Sequence, residues 1–253
     1  MHTNEMSFSP DLIAKAVRCL EEAVGDDILA DIQNNDLPTT NSVPSRIWDF
    51  LNRNLIKALD TEDCTIATAH RGPWEMLIIF ENTTQCIFTF MREKRFAELR
   101  KQQRRRKHMH YIDMLAKQFN KELLADQQLS LLPHTFSDED RLAELVQTLL
   151  HDLDGGADIV RHHVLVLFDT VGYQLTSVRA VMITSTLDIA QNCEQDWSQY
   201  ITAGESIIVE KVSNPKAPEN QPNRGLSLKA KAVARQKSRP KQKGLEEDLQ
   251  KEN

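Results

Sequence analysis

The feature that most constrains the fold is a stretch from Phe90 to Leu124, where a predicted strand leads directly into a predicted helix. Nine residues between Arg92 and Lys107 are Lys or Arg, against two acids. Farther along, apolar residues recur at spacings of three and four, which places them on one helical face: Met109, Ile112, Ala116, Phe119 and Leu123. The pattern predicts one long helix that is cationic in its first half and anchored in the core in its second half.

Three β-rich runs precede this helix and predict a meander over residues 65–91. The runs are Thr65–His70, Trp74–Glu81 and Gln85–Met91, and turn-forming residues fill both gaps between them. In the third run apolar residues occupy both alternating sets of positions, so we expect helices on both faces of the sheet.

Amphipathic patterns predict the helices that cover this sheet. Ser9-Pro10-Asp11 is typical of a helix start, and the apolar stripe that follows ends near Gly25. Similar stripes predict helices over Ile47–Leu59 and Leu142–Leu150. Further strands are predicted near residues 164–184 and 206–212, with a short helix at Ile189–Ile201 between them.

These patterns together predict an α+β protein with a mainly antiparallel sheet packed by amphipathic helices. We expect one globular domain over residues 1–212, in which residues 1–60 could form a helical N-terminal part. From residue 213 onward Pro, Asn, Gln, Lys and Arg dominate and aromatic residues are absent. Such a segment buries too little apolar surface to offset its ordering entropy, so we predict a disordered basic tail over residues 213–253.

Positive charge is concentrated in two segments, although the formal net charge of the whole chain is −6. One segment is the long helix, and the other lies in the tail, where residues 224–243 carry eight basic residues and no acid. Clustered cations favour phosphate backbones, whose binding is salt-dependent and independent of sequence. The candidate nucleic-acid-binding residues are Arg100, Lys101, Arg104, Arg105, Arg106, Lys107, Lys229, Lys231, Arg235, Lys237, Arg239, Lys241 and Lys243.

Signatures of catalysis and of cofactor binding are absent from the sequence. It contains no G-x-x-x-x-G-K-[ST], G-x-G-x-x-G or G-x-S-x-G motif. Its four cysteines form no C-x-x-C pair and are predicted to be buried free thiols. The histidine pairs lack the i, i+4 spacing of a helical metal site, so we expect no metal, no cofactor and no catalytic residue.

No stretch of the sequence predicts a transmembrane helix or a secretory signal. The longest uncharged apolar runs have the length of strands. The N-terminus lacks a basic region followed by an apolar one. We therefore predict a cytoplasmic protein without a membrane partner.

A nuclease is one alternative, because the order helix, three-stranded meander, helix resembles the start of the core of restriction-endonuclease-like nucleases. That resemblance implies a metal held by an acid on the second strand and by an acid-x-lysine pair on the third. Glu75 or Glu81 would be the first acid. The third strand carries no acid, and Glu93-Lys94-Arg95 lacks the required spacing.

A short segment after the long helix resembles the peptides by which bacterial proteins bind the sliding clamp. The segment Gln128-Leu129-Ser130-Leu131-Leu132 is similar to the pattern Q-L-[S/D]-L-F, with leucine in the last place. In such a peptide the leucines would fill an apolar cleft while the glutamine makes polar contacts. Alternatively, the same leucines pin the connector to the core.

The function that these patterns favour is that of a cytoplasmic bacterial nucleic-acid-associated protein, non-enzymatic and either regulatory or carried by a mobile element. It would bind DNA or RNA through backbone contacts and dock on the sliding clamp. The alternatives are a divergent metal-dependent nuclease and a protein-interaction module whose cationic segments bind acidic partners or the protein's own acidic surface. The oligomeric state cannot be read from the sequence.

Overall fold

The computed structural model describes residues 6–35, 39–71, 74–123 and 135–202. Its helices and strands, with four short 3-10 helices, follow in chain order. They are α1 (Pro10–Val24), α2 (Asp26–Asn35), α3 (Val43–Leu59), β1 (Cys64–Arg71), β2 (Trp74–Glu81), β3 (Cys86–Arg92), α4 (Glu93–Gln102), a 3-10 helix (Gln103–Arg105), α5 (Tyr111–Phe119), a 3-10 helix (Glu139–Arg141), α6 (Leu142–Leu149), a 3-10 helix (Gly156–Ile159), β4 (His162–Val171), β5 (Gln174–Ile183), β6 (Ile189–Asp196) and a 3-10 helix (Ser198–Tyr200).

The six strands form one sheet in the order in which they occur in the chain. Every neighbouring pair is antiparallel except β3 and β4, which are parallel. A parallel pair needs a long crossover, and the chain from Glu93 to Arg161, which carries α4, α5 and α6, supplies it. The predicted α+β class with a mainly antiparallel sheet is confirmed.

Helices cover both faces of the sheet, as the two-sided apolar pattern of the third strand predicts. Cys86, Phe88 and Phe90 belong to the core that α1, α2 and α3 complete. Ile87 and Met91 point the other way, into the core that α4, α5 and α6 complete. Alternate residues of a strand face opposite sides, so β3 contributes to both cores.

The predicted N-terminal helices are present, together with one that the sequence did not indicate. The Ser9 hydroxyl accepts a hydrogen bond from the Leu12 N–H and caps α1, as the Ser-Pro-Asp start predicts. α1 ends at Gly25, and α2 begins at the next residue. α2 escaped prediction because its apolar stripe is short: Ile28 is its buried residue, and Ile32, one turn later, packs against the same core only partly buried.

The helix predicted over Ile189–Ile201 is wrong, because residues Ile189–Asp196 form β6, the last strand of the sheet within the described residues. Ala190 and Cys193 are three residues apart, a helical spacing, and both are buried in the same core. A regular strand would place them on opposite faces. Asn192, which lies between them with φ of +56°, and an irregularity in the β5–β6 ladder restore their common direction.

The single long helix predicted from Arg92 onward is also wrong. α4 ends at Gln102, a 3-10 turn follows, and α5 begins only at Tyr111. The start of α5 is fixed by a reciprocal cap: the His110 ring accepts from the backbone of the first turn, and the Asp113 carboxylate accepts the His110 N–H at 2.7 Å. The apolar stripe itself is buried as predicted, from Met109 to Leu123.

Contacts group residues Met1–Ala203 into one unit and Gly204–Asn253 into a second, which lies outside the described residues. The predicted strand at 206–212 and the predicted tail therefore lie outside the described residues as well. None of the helices in the described ranges is long and apolar enough to cross a membrane.

Candidate nucleic-acid interface

α4 presents the cationic segment on one side and packs the other side into the protein. Phe96 and Leu99 are the buried residues of this helix, three positions apart on its inner face. Arg100 and Lys101 stand in the last turn, where the helix dipole favours positive charge. The amphipathic pattern thus holds the helix in place while its basic residues project outward.

Four basic residues at the end of α4 and just beyond it form what we call the cationic patch: Lys101, Arg104, Arg105 and Lys107. All four are exposed. Within the described part of the chain, none of them makes an ion pair with an acidic side chain. Four uncompensated positive charges within seven residues produce a local positive potential on a protein whose net charge is negative.

Two of the predicted phosphate-binding residues, Arg100 and Arg106, have carboxylate partners. Arg100 donates to Asp188 at 2.7 Å, and both side chains are partly exposed. Such a pair contributes little to stability and is open to exchange for a phosphate. It joins the end of α4 to the loop between β5 and β6.

Arg106 is a correction to the predicted site, because its guanidinium points into the protein. It binds both carboxylate oxygens of Asp113 at 2.5 and 2.9 Å. The Asp113 side chain is fully buried, and that of Arg106 is only 14% exposed. The guanidinium also lies over the ring of Phe136, with its carbon 5.4 Å from the ring centroid. Arg106 is therefore a structural residue that holds the segment before α5.

The predicted nuclease acids are both on β2, at opposite ends of the strand. Glu81 is buried, and its carboxylate accepts hydrogen bonds from the backbone of Thr83 and Thr84 and from the Thr84 hydroxyl. These bonds outweigh the opposing effect of burial and lower the pKa of Glu81, so this residue stabilises the β2–β3 turn. Glu75 is exposed and lies 3.6 Å from His70 Nδ1.

A cleft of about 800 Å³ lies beside Glu75, and sequence reasoning missed it. It opens where α3, the start of β2 and the end of β3 meet. On β3 the lining residues are Phe90, Met91 and Arg92. The spacing of Phe90 and Arg92 matches an acid-x-lysine pair, but the position of the acid holds phenylalanine.

The cysteines are buried, and the described histidines join no group that could hold a metal ion. All four cysteines are buried free thiols, as predicted. Burial raises the pKa of the Cys19 thiol to about 12 and that of Cys64 to about 11, so neither is an activated nucleophile. Among the described residues no three His, Cys, Asp or Glu side chains are grouped so that they could hold a metal ion.

The remaining predicted site residues cannot be placed. The clamp-like segment Gln128–Leu132 lies outside the described residues, as do the basic residues of the tail. The ends of the described chain on either side of that segment are anchored, since Leu123 and Phe136 are both buried.

Comparison with known proteins identifies a family without assigning an activity. No curated protein and no solved structure matches the chain. The family of unknown function DUF5986 matches residues 5–246, which is nearly the whole chain. The protein described above therefore belongs to the DUF5986 family.

Proposed function

We propose that this protein binds nucleic acid through backbone phosphates, and that it acts in the bacterial cytoplasm as a non-enzymatic regulatory or mobile-element protein. The observation that carries the proposal is the cationic patch, whose four side chains are exposed and have no acidic partner among the described residues. Phosphates would supply the missing charge and release counterions from the nucleic acid.

The alternative is a protein-interaction module whose cationic segments bind acidic partner proteins or the protein's own acidic surface. Neutralisation by the protein's own acids accounts for Arg106 and in part for Arg100. It does not account for the cationic patch, where the described part of the chain provides no carboxylate within ion-pair distance. The exposed patch therefore supports binding to an external polyanion, and we propose nucleic acid as that polyanion because clustered cations favour phosphate backbones.

The test replaces Lys101, Arg104, Arg105 and Lys107 by Gln and measures binding to a labelled oligonucleotide at several salt concentrations. We expect weaker binding, and a slope of log affinity against log salt whose magnitude decreases by about 2.8 to 3.6, because each of the four phosphate contacts contributes about 0.7 to 0.9. Stability should stay within about 0.5 kcal/mol of the parent, since the four residues are exposed.

A control of equal charge change replaces four exposed basic residues elsewhere, namely Arg18, Lys57, Arg141 and Arg161. This variant should bind like the parent. Equal losses of oligonucleotide affinity in both variants would mean that only the net charge of the protein matters. A parent protein that binds neither DNA nor RNA would favour the protein-interaction module.

The nuclease alternative keeps one supporting observation, which is the order helix, meander, helix around the cleft that Glu75 lines. Phe90 occupies the place where that resemblance requires an acid. We therefore expect no cleavage of single- or double-stranded substrates with Mg²⁺ or Mn²⁺. Metal-dependent cleavage by the parent that disappears in Glu75→Gln would instead favour the nuclease over the non-enzymatic nucleic-acid-binding protein.

We further propose that the segment Gln128–Leu132 binds the bacterial sliding clamp. Clamp binding would hold the cationic patch near DNA, so two weak contacts would reinforce each other through effective concentration. Titration against purified clamp should show binding by the parent that is lost in Gln128→Ala and in Leu131→Ala with Leu132→Ala. Unfolding of the leucine variant, measured in urea, would instead assign the leucines to the core.

A further inference from the structure

The cleft beside β2 exists because two neighbouring strands separate. β2 and β3 pair only from Ile79↔Phe88 to Glu81↔Cys86, close to their connecting turn. On its other side β2 pairs with β1 as far as Trp74, and β3 pairs with β4 as far as Arg92. The first half of β2 and the second half of β3 therefore separate from each other while each stays paired with its other neighbour. We call this separation the fork; it leaves the backbone edges of both strands facing an open space.

Arg92 gives this cleft a cation that no carboxylate pairs with directly among the described residues. Its guanidinium is half-buried, donates to the Thr170 hydroxyl at 3.0 Å and lies 5.5 Å from the centroid of the Phe168 ring. No carboxylate within the described ranges makes an ion pair with it. Burial lowers the pKa of Arg92, and the nearby Asp169 carboxylate opposes this effect only in part, so the positive charge has lost water without gaining a directly bonded counter-charge. An anion in the cleft would restore that compensation.

Aromatic side chains in the cleft offer a surface for a planar ring. The Trp74 side chain is 62% exposed at the mouth of the cleft, an unusual exposure for the largest apolar side chain. Trp48 lines the cleft from α3 and is held against Phe168 with ring centroids 5.7 Å apart. A base that stacks on tryptophan gains affinity whichever base it is.

Polar groups around the rings complement the edge of a base and limit the charge of the ligand. Asn41, Asn52, Asp49 and Glu75 line the cleft and offer amide and carboxylate groups for hydrogen bonds. The two carboxylates and the two arginines of the cleft, Arg92 and Arg95, balance in number. One phosphate is therefore better matched here than a polyphosphate, because each added negative charge would meet the carboxylates.

From the fork, the exposed tryptophan and the half-buried arginine, we infer that the cleft binds a nucleoside monophosphate unit, with the base on Trp74 and the phosphate on Arg92. The unit is either a free nucleotide or the phosphorylated end of a strand. The site shares no lining residue with the cationic patch: Arg92 and Lys101 stand at opposite ends of α4, about 14 Å apart along the helix axis, although His110 and Tyr111, which also line the cleft, follow Lys107 closely in the chain. The inference therefore stands or falls independently of the patch.

Calorimetric titration of the full chain with AMP, adenosine and inorganic phosphate tests the inference. AMP should bind at least about tenfold more tightly than either part alone, because charge-assisted hydrogen bonds and stacking act together. Trp74→Ala should weaken AMP binding about fivefold or more, whereas Tyr173→Ala, an exposed aromatic residue on the β4–β5 turn, should leave it unchanged.

Arginine variants separate phosphate recognition from folding. Arg92→Gln should reduce AMP affinity to that of adenosine, and Arg92→Lys should keep a preference for AMP even if Arg92→Gln is less stable. The variant with four glutamines in the cationic patch should bind AMP like the parent. Competition by an oligonucleotide only when it carries a 5′-phosphate would assign the site to strand ends, and no competition would assign it to free nucleotides. A folded parent that does not bind AMP, or binding that is indifferent to both Trp74 and Arg92, would overturn the inference.

Discussion

His163 is a fully buried imidazole that must remain neutral in the folded protein. Its Nε2 lies 2.8 Å from the Thr89 hydroxyl, which joins β4 to β3. Its Nδ1 is buried without a hydrogen-bond partner among the described residues. Burial lowers the pKa of His163 to about 3, far below its usual value near 6.5. The folded protein is therefore sensitive to acid at this residue.

The free energy of unfolding should decrease as the pH is lowered, because His163 must stay neutral in the folded protein. Below about pH 6.5 the unfolded chain binds a proton that the folded chain does not, so the free energy of unfolding decreases from there toward pH 3. Between pH 7 and pH 5 the loss is about 2 kcal/mol. Urea unfolding of His163→Gln should show a loss that is smaller by this amount, while His151→Gln, which replaces an exposed histidine, should behave like the parent. Equal pH dependence in all three proteins would contradict the assignment.

Arg105 and Arg106 are neighbouring residues of the same type in one basic run. In the structure, however, the Arg105 side chain is exposed, whereas the Arg106 side chain pairs with a buried acid. The run of basic residues predicts positive charge, but it does not indicate which side chain finds a buried acid. Asp113 selects Arg106 because the chain turns back after the 3-10 helix and brings α5 alongside it. Burial of a partner that is seven residues away depends on the path of the chain, which local spacing does not encode.

Replacing these two arginines in turn should give very different stabilities. Arg106→Gln leaves the Asp113 carboxylate buried without its cation and should cost about 3 kcal/mol or more in the free energy of unfolding. Arg105→Gln should change it by no more than about 0.5 kcal/mol. Oligonucleotide binding should show the reverse order among folded proteins, with only Arg105→Gln weakened. Similar free energies of unfolding for Arg106→Gln and Arg105→Gln would contradict the structural role assigned to Arg106.

At the scale of helices and strands, prediction succeeded for helices with one face buried at a regular period, namely α1, α3 and α6. It also succeeded for β1 to β5, whose short β-rich runs are bounded by turn residues even where both faces are buried. It failed where a local irregularity shifts the pattern, as Asn192 does in β6 and the reciprocal cap at His110 does before α5. The fork between β2 and β3 could not be predicted, because both strands keep their alternation while their ladder ends early.

Asn120 shows how the elements are fastened to one another at the end of α5. Its side-chain amide donates to the carbonyls of His163 on β4 and Ile183 on β5, at 2.8 and 3.1 Å. Its side-chain oxygen accepts the His163 N–H at 3.0 Å. The residue is buried, so water does not replace these bonds when they are lost.

Asn120→Ala should therefore lower the free energy of unfolding by about 3 kcal/mol, at about 1 kcal/mol for each bond. Asn82→Ala is the matched control, because the Asn82 amide makes one exposed hydrogen bond, to the Glu62 carbonyl, and should cost about 1 kcal/mol or less. Denaturant unfolding at neutral pH measures both. A cost for Asn120→Ala no larger than that for Asn82→Ala would mean that the helix is held mainly by its apolar face.

At the scale of the whole molecule, the predicted phosphate-binding residues fall into two segments, one on the folded unit and one in the tail. Both cores are built from residues between Phe8 and Trp197, and the cationic patch lies on the crossover that makes β3 and β4 parallel. The candidate residues of the tail lie outside the described residues. Their part in binding is a prediction from composition, and it can be tested separately from folding.

Deleting residues 214–253 should weaken oligonucleotide binding and reduce its salt dependence, because the segment carries seven of the predicted cations. The melting temperature should hardly change, since the described cores end before the deletion. A full-length control, in which Lys229, Lys231, Arg235, Lys237, Arg239, Lys241 and Lys243 are replaced by Gln, should lose the same affinity as the deletion. If the deletion lowers the melting temperature but the control does not, the segment belongs to the folded unit. If binding survives both changes, the cationic patch binds nucleic acid without the tail.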